Sequence, residues 1–324
     1  MNIKNLKIFL IIGTLLLILI VIIHLANRQQ TQPLILSSPL TNYDQTITTF
    51  SNINYSGPLI NTPSNLSIAS ATFDPNEAVE ILDRLITKYN FETIVENSFW
   101  NNYDSSIELS RNEHRNCYIL LFNDRLPNLE YGDWHTQTLA SSARQFINEN
   151  LGHTSLEPQI EHLSYYLGEF HIEPTTAEES NIVVIPFAET LEGIPIIYDT
   201  HSNFPFVVFF NNQNLPFRLE YCPQFITPEI VDVLPSISVQ QAMFNINNLP
   251  GSTSIIDTEG IPMFDFDPSA FVRGNLIFGS LQYRFNRQTG MLMPMYSFSG
   301  VLYDQHGNST IVNLITPAVQ VAFE

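Results

Sequence analysis

Positive charge is scarce in this chain. Lysine stands only at positions 4, 7 and 88, and 13 Lys+Arg face 32 Asp+Glu, a formal net charge of -19 over 324 residues. Phosphate neutralisation needs basic side chains gathered in a patch, so the balance argues against nucleic-acid binding. It argues equally against electrostatic adhesion to an anionic lipid surface. Only two cysteines are present, Cys117 and Cys222, and they form no C-x-x-C, so a vicinal redox centre is absent. The zincin H-E-x-x-H, the G-x-S-x-G elbow, the P-loop and G-x-G-x-x-G are missing too, which removes the common zinc, serine-hydrolase and nucleotide signatures. Disorder is excluded by what remains: 44% hydrophobic residues, with 23 Phe and 13 Tyr. The length suits two domains, or one domain of repeated units.

One long apolar run stands at the start. Ile8–Ala26 is apolar except for Gly13, Thr14 and His24. At about 1.5 Å per residue such a helix matches a hydrocarbon core of about 30 Å. A cleavable signal peptide has a shorter apolar region and small residues at its cut, whereas here His24 precedes Leu25-Ala26. The run therefore predicts an uncleaved single-pass anchor. Lys4 and Lys7 before it set the N-terminus in the cytoplasm and the remainder outside. In that oxidising space Cys117 and Cys222 have two alternatives, one disulfide or two buried thiols, because sequence position carries no bridge geometry.

The organisation expected along the chain is a cytoplasmic tip and anchor over 1-27 and a polar stalk over 28-70. An α+β unit over 71-180 and a C-terminal α+β unit over 181-324 follow. Asp74-Pro75 with Glu77 opens a first helix that ends near Asn90. A second runs from Thr138 to Leu151 with Gly152 as its stop, and a third from Ser238 to Leu249. Strand signals cover Thr93–Phe99, Ser106–Ser110, Cys117–Phe122, His162–Leu167 and Asn181–Ala188. Ile194–Tyr198, Phe206–Phe210 and Phe217–Tyr221 read as a three-strand meander. A hairpin then joins Ile277–Phe285 to Met291–Leu302, followed by Thr310–Ile315. The second and third helices share apolar stripes and Asn-rich ends, which suggests a repeated helix-on-antiparallel-sheet unit. The fold class expected is thus α+β, with one N-terminal transmembrane helix.

The last third carries a resemblance. Ile237-Ser238-Val239-Gln240-Gln241-Ala242, running to Leu249-Pro250-Gly251, is similar to the helix opening of PepSY-type domains. Leu281-Gln282-Tyr283, Met293-Pro294-Met295-Tyr296-Ser297-Phe298-Ser299-Gly300 and Thr316-Pro317-Ala318-Val319 resemble the closing hairpin of the YycH/YycI family. Members of that family are membrane-anchored extracytoplasmic regulators of a sensor kinase. The resemblance implies a regulator or scaffold that acts by contact, and it brings no catalytic residues.

Candidate chemistry is thin. His162 and His171, with Glu161 and Glu169, would offer imidazole and carboxylate ligands to a metal, but their spacing reads more simply as strand and turn histidines. Asp265 and Asp267, with Glu259 upstream, would offer oxygens to Ca²⁺, yet Asp267-Pro268 reads as a turn start. Trp100 and Trp134 would stack on sugars or pack in the core. The apolar run Phe204–Phe210 is a buried central strand or a docking face. No catalytic, cofactor-binding or metal-binding residue is assigned, and no cofactor is expected. The reading is a non-enzymatic membrane-anchored protein whose expected partner is a membrane or envelope protein. The alternatives are an anchored envelope hydrolase with an unidentified acid pair, and a cation or small-molecule binding module.

Overall fold

The structure is a computed structural model that describes residues 34–35, 46–47, 50, 52–73, 75–95, 98–112, 117–152, 155–168, 172–198, 204–222, 226–259, 266–286 and 289–322. Counting strands of three residues or more, the chain begins with β1 (Ile53–Tyr55) and β2 (Asn65–Phe73), then helix α1 (Pro75–Tyr89). Next come β3 (Glu92–Val95), β4 (Phe99–Asn101), β5 (Ile107–Asn112) and β6 (Cys117–Phe122). Helix α2 (Thr136–Leu151) leads to β7 (Ser164–Leu167), β8 (Ile182–Ala188) and β9 (Ile194–Tyr198). β10 (Phe206–Asn211), β11 (Pro216–Tyr221) and β12 (Ile226–Pro235) precede helix α3 (Val239–Asn248). The chain closes through β13 (Thr253–Glu259), β14 (Phe271–Asn286), β15 (Met291–Asp304) and β16 (Ser309–Pro317).

These strands make two sheets, each of ten strands among the described residues. The first runs β7-β8-β10-β11-β6-β5-β4-β3, with the two-residue strands Glu173–Pro174 and Glu157–Pro158 beside β7 and β8. The second runs β9-β14-β15-β16-β13, with β2 joining β15 to β12 and β1 lying parallel to β14. Each sheet has its own core. Ile81 and Leu85 of α1 and Leu139, Ala143, Phe146, Ile147 and Leu151 of α2 are buried against the first sheet. These are the positions a helical stripe would turn inward. Ala242 and Ile246 of α3 are buried with Tyr283, Tyr296, Phe298 and Leu314 of the second sheet. Ser238 caps α3, its hydroxyl accepting from the Gln241 amide at 3.1 Å, which satisfies one of the free N–H groups of the first turn.

The antiparallel register of β6 and β11 pairs Tyr118 with Tyr221. One step further along the same ladder sets Cys117 opposite Cys222, and these two form a disulfide across a sequence separation of 105. Cross-strand pairing supplies the geometry that sequence position alone could not, and it resolves the two alternatives in favour of the bridge.

The expected α+β class with repeated helix-on-sheet units is overturned: the described chain is mostly β, with three helices and curled sheets. The transmembrane helix expected at Ile8–Ala26 lies outside the described residues, and no helix among the described residues is long and apolar enough to cross a membrane. The helices themselves lie close to where the sequence placed them. The error came from treating their similar ends as a duplication. α2 stops on Gly152 in the left-handed region at φ 71, while α3 stops on an extended Leu249, and they serve sheets of different strand order. The meander is also corrected, because β9 leaves the first sheet and pairs in parallel with β14 of the second. β10 and β11 alone remain a hairpin. Within the stretch read as stalk, β1 and β2 are strands of the second sheet, and Leu66 and Ile68 are buried. The first sheet takes strands from both sides of position 180.

Candidate functional site

A cleft of about 760 Å³ opens between the second sheet and the segments that lead into β7 and β10 of the first. Its floor is one face of β14, β15 and β16. Antiparallel pairing sets Ser280 opposite Ser297, and Phe278 and Asn313 on either side of Ser299. Paired residues share a face, and so do residues two apart on a strand. Gln282 and Arg284 therefore continue the row begun at Ser280. Both are only 4% exposed, unusual for such polar side chains. Arg284 donates to the Gln282 amide oxygen from Nε at 2.8 Å and from Nη2 at 3.1 Å, in the amide orientation that satisfies both groups. Asp257 of β13 pairs with Asn313 and stands at the exposed margin. Ser254, also buried and on this face by register, has an Oγ with no hydrogen-bond partner among the described residues.

The opposite wall comes from the first sheet's side. The 3-10 turn Ile160–His162 brings Glu161 and His162 to the cleft, and Phe204 precedes β10 beside them. The His162 ring lies 5.0 Å from Phe204 and 6.1 Å from Phe278. Burial among these rings pushes the imidazole below its ordinary pKa, with Glu161 opposing the shift. His162 is thus neutral at physiological pH, one nitrogen donating and the other accepting. The cleft presents hydroxyls, amides, one neutral imidazole and two aromatic faces, with the buried Arg284 guanidinium in its floor and carboxylates at its margin.

Of the residues singled out in the sequence, His162, Glu161 and Phe204 reach the cleft, whereas His171, Glu169 and Asp265 lie outside the described residues. No group of three or more metal-ligating side chains is found among the described residues. Asp267 caps a turn, accepting from the Ser269 amide at 2.9 Å. Trp100 is buried in the first core, and Trp134 donates from Nε1 to Ser180 at 2.7 Å. Phe206–Phe210 is central, flanked by β8 and β11, and all of it but the half-buried Val207 is buried, so it is not a docking face. Among the described residues one carboxyl has a pKa raised to about 7, that of Glu189, chiefly through burial. It accepts a bond from the Tyr198 hydroxyl at 2.5 Å. Strand alternation puts Tyr198 on the opposite face of β9 from the cleft-lining Ile197, so this acid is sealed away from the cleft. The sequence reading missed the floor residues. Ser280-x-Gln282-x-Arg284 has the period of two, but a polar alternating face reads as a solvent face until the segments that lead into β7 and β10 cover it.

No protein-family model, curated protein or solved structure matches this chain.

Proposed function

We propose that the protein is a non-enzymatic binding protein that faces outside the cytoplasm and acts by holding a ligand in the cleft between its two sheets. The observation that carries this reading is the polar floor of the cleft. A sheet face of half-buried serines and Asn313 with buried Gln282 and Arg284 costs stability compared with an apolar one, and polar groups converging on a concave surface are what ligand recognition requires. Among the described residues of the cleft no serine hydroxyl is hydrogen-bonded to His162 as a nucleophile would be to its base. Among the described residues the one acid with a raised pKa, Glu189, is buried elsewhere, which weighs against the hydrolase reading. The disulfide supports an oxidising compartment. Membrane association through Ile8–Ala26, and contact with an envelope protein partner, rest on sequence alone.

Native mass spectrometry of the full-length protein, purified from its own cells, tests this. The wild type should carry an adduct that a cleft-filling Ser299→Trp variant of unchanged melting temperature lacks. An identical adduct pattern in both would refute a ligand in the cleft.

A further inference from the structure

We infer that the ligand of this cleft is an uncharged, polyhydroxylated chain, a short neutral glycan segment. The inference rests on the cleft reading above and adds the chemical class.

Three features select that class. The floor is the face of a sheet, not its edge. β15 is bonded to β14 and β16, and β16 to β15 and β13, while β14 is bonded to β15 along its length and on its other side to β1 at Gly274–Leu276 and to β9 at Tyr283–Phe285. At Ser297, Ser299 and Asn313 the strands are flanked on both sides, so an extended peptide lying on this face would gain no main-chain bonds from them, as it does when it adds to a sheet edge. Apart from the donor-only Arg284 guanidinium, which is 4% exposed and bonded from Nε and Nη2 to Gln282, the side chains there are donors and acceptors at once: Ser280, Ser297, Ser299, Asn313 and neutral His162. Groups of that dual kind pair with hydroxyls, which are also both donor and acceptor. On a strand they repeat at about 6.6 Å along the chain and about 4.8 Å across it, which gives a grid and not a single point of recognition.

The second feature is the aromatic wall. Phe204 and the His162 ring offer flat apolar faces opposite the polar floor. A sugar ring has the matching two-sided character, with hydroxyls at its edge and C–H groups on its faces. The third is charge. Glu161 and Asp257 stand at the margin of the cleft, and the whole chain carries -19. A polyanionic guest would be repelled on approach and would find carboxylates at the entrance.

Isothermal titration of the full-length protein tests the class, with chitotetraose, cellotetraose and maltotetraose as neutral probes. Tetragalacturonate serves as the anionic probe and an uncharged pentapeptide as the peptide probe. At least one neutral tetrasaccharide should bind saturably, with an affinity that changes less than twofold between low and high salt. Asn313→Ala should weaken it about tenfold while the melting temperature stays within a few degrees, and Ser299→Trp should abolish it. If the anionic probe or the pentapeptide binds and no neutral sugar does, the glycan class is wrong while the cleft remains a binding site. If no probe binds and the native adduct is the same with and without Ser299→Trp, both readings fall.

Discussion

Glu189 gives the account its sharpest physical test. It follows β8 at the point where the chain leaves the first sheet for the second, and its carboxyl is closed in by Tyr198 and bonded by the Ile226 backbone amide. Burial is the main cause of a pKa raised from 4.5 to about 7, with the Glu77 charge adding to it. In the unfolded chain the group returns to its ordinary value, so between about pH 4.5 and pH 7 the folded state binds more protons than the unfolded one. Stability must therefore fall as pH rises through that window. The full penalty, about 3 kcal/mol at about 1.4 kcal/mol per tenfold, is present above pH 7 and gone below pH 4.5. Glu189→Gln keeps an oxygen for the Tyr198 hydroxyl and removes the titration. Chemical denaturation of the wild type and the variant across about pH 5 to pH 8.5 should show curves that converge at the acid end. At the alkaline end the variant should be the more stable, by a few kcal/mol. Taking the difference cancels the self-repulsion of the acidic surface, and it cancels His162 as well. That lowered imidazole acts with the opposite sign, stabilising above its unfolded value and losing that contribution as pH falls. Curves that stay parallel, or a variant weaker at alkaline pH, would refute the burial argument.

Three further outcomes follow from packing and covalent structure. Replacing both cysteines, Cys117→Ser with Cys222→Ser, opens a loop of 105 residues; the chain-entropy account assigns about 4.7 kcal/mol to a loop near that size. Denaturation midpoints of the variant, and of the wild type with and without reductant, measure the loss. Ser238→Ala removes the cap of α3 and should cost about 1 kcal/mol by equilibrium denaturation. Gly300→Ala is far more damaging in proportion to its size. A Cβ there meets the Asn275 carbonyl oxygen at 2.3 Å and the Leu276 Cα at 2.5 Å, both backbone, so β14 and β15 must separate. A loss of about 1–3 kcal/mol or more is expected in the melting curve.

Local signals in the sequence were reliable where the physics is local. Ser238 with Gln241, Gly152 after Leu151, and the turn between Asn286 and Met291 each mark an element end that the structure shows. Strand existence was legible for the same reason: β6, β8 and β10 are runs of β-branched and aromatic residues. Partnership between strands was not. Nothing in Ile194–Tyr198 says that it pairs in parallel with β14, more than eighty residues later, instead of antiparallel with β10 beside it. The disulfide was hidden for the same reason, since its geometry comes from the β6–β11 register. The cleft depends on both. Its floor is a polar strand face covered by the segments that lead into β7 and β10, and of its lining only His162, Glu161 and Phe204 stood out beforehand as candidates.

The central claim is that the cleft between the sheets is where this protein meets its ligand. The most direct measurement is photo-crosslinking in living cells from a benzoylphenylalanine placed at Ser299, compared with one at Gln145 on the outer face of α2. The account predicts a discrete adduct from position 299 that Asn313→Ala diminishes, and none of that mass from position 145. Adducts of the same mass from both positions, or none from position 299, would contradict it.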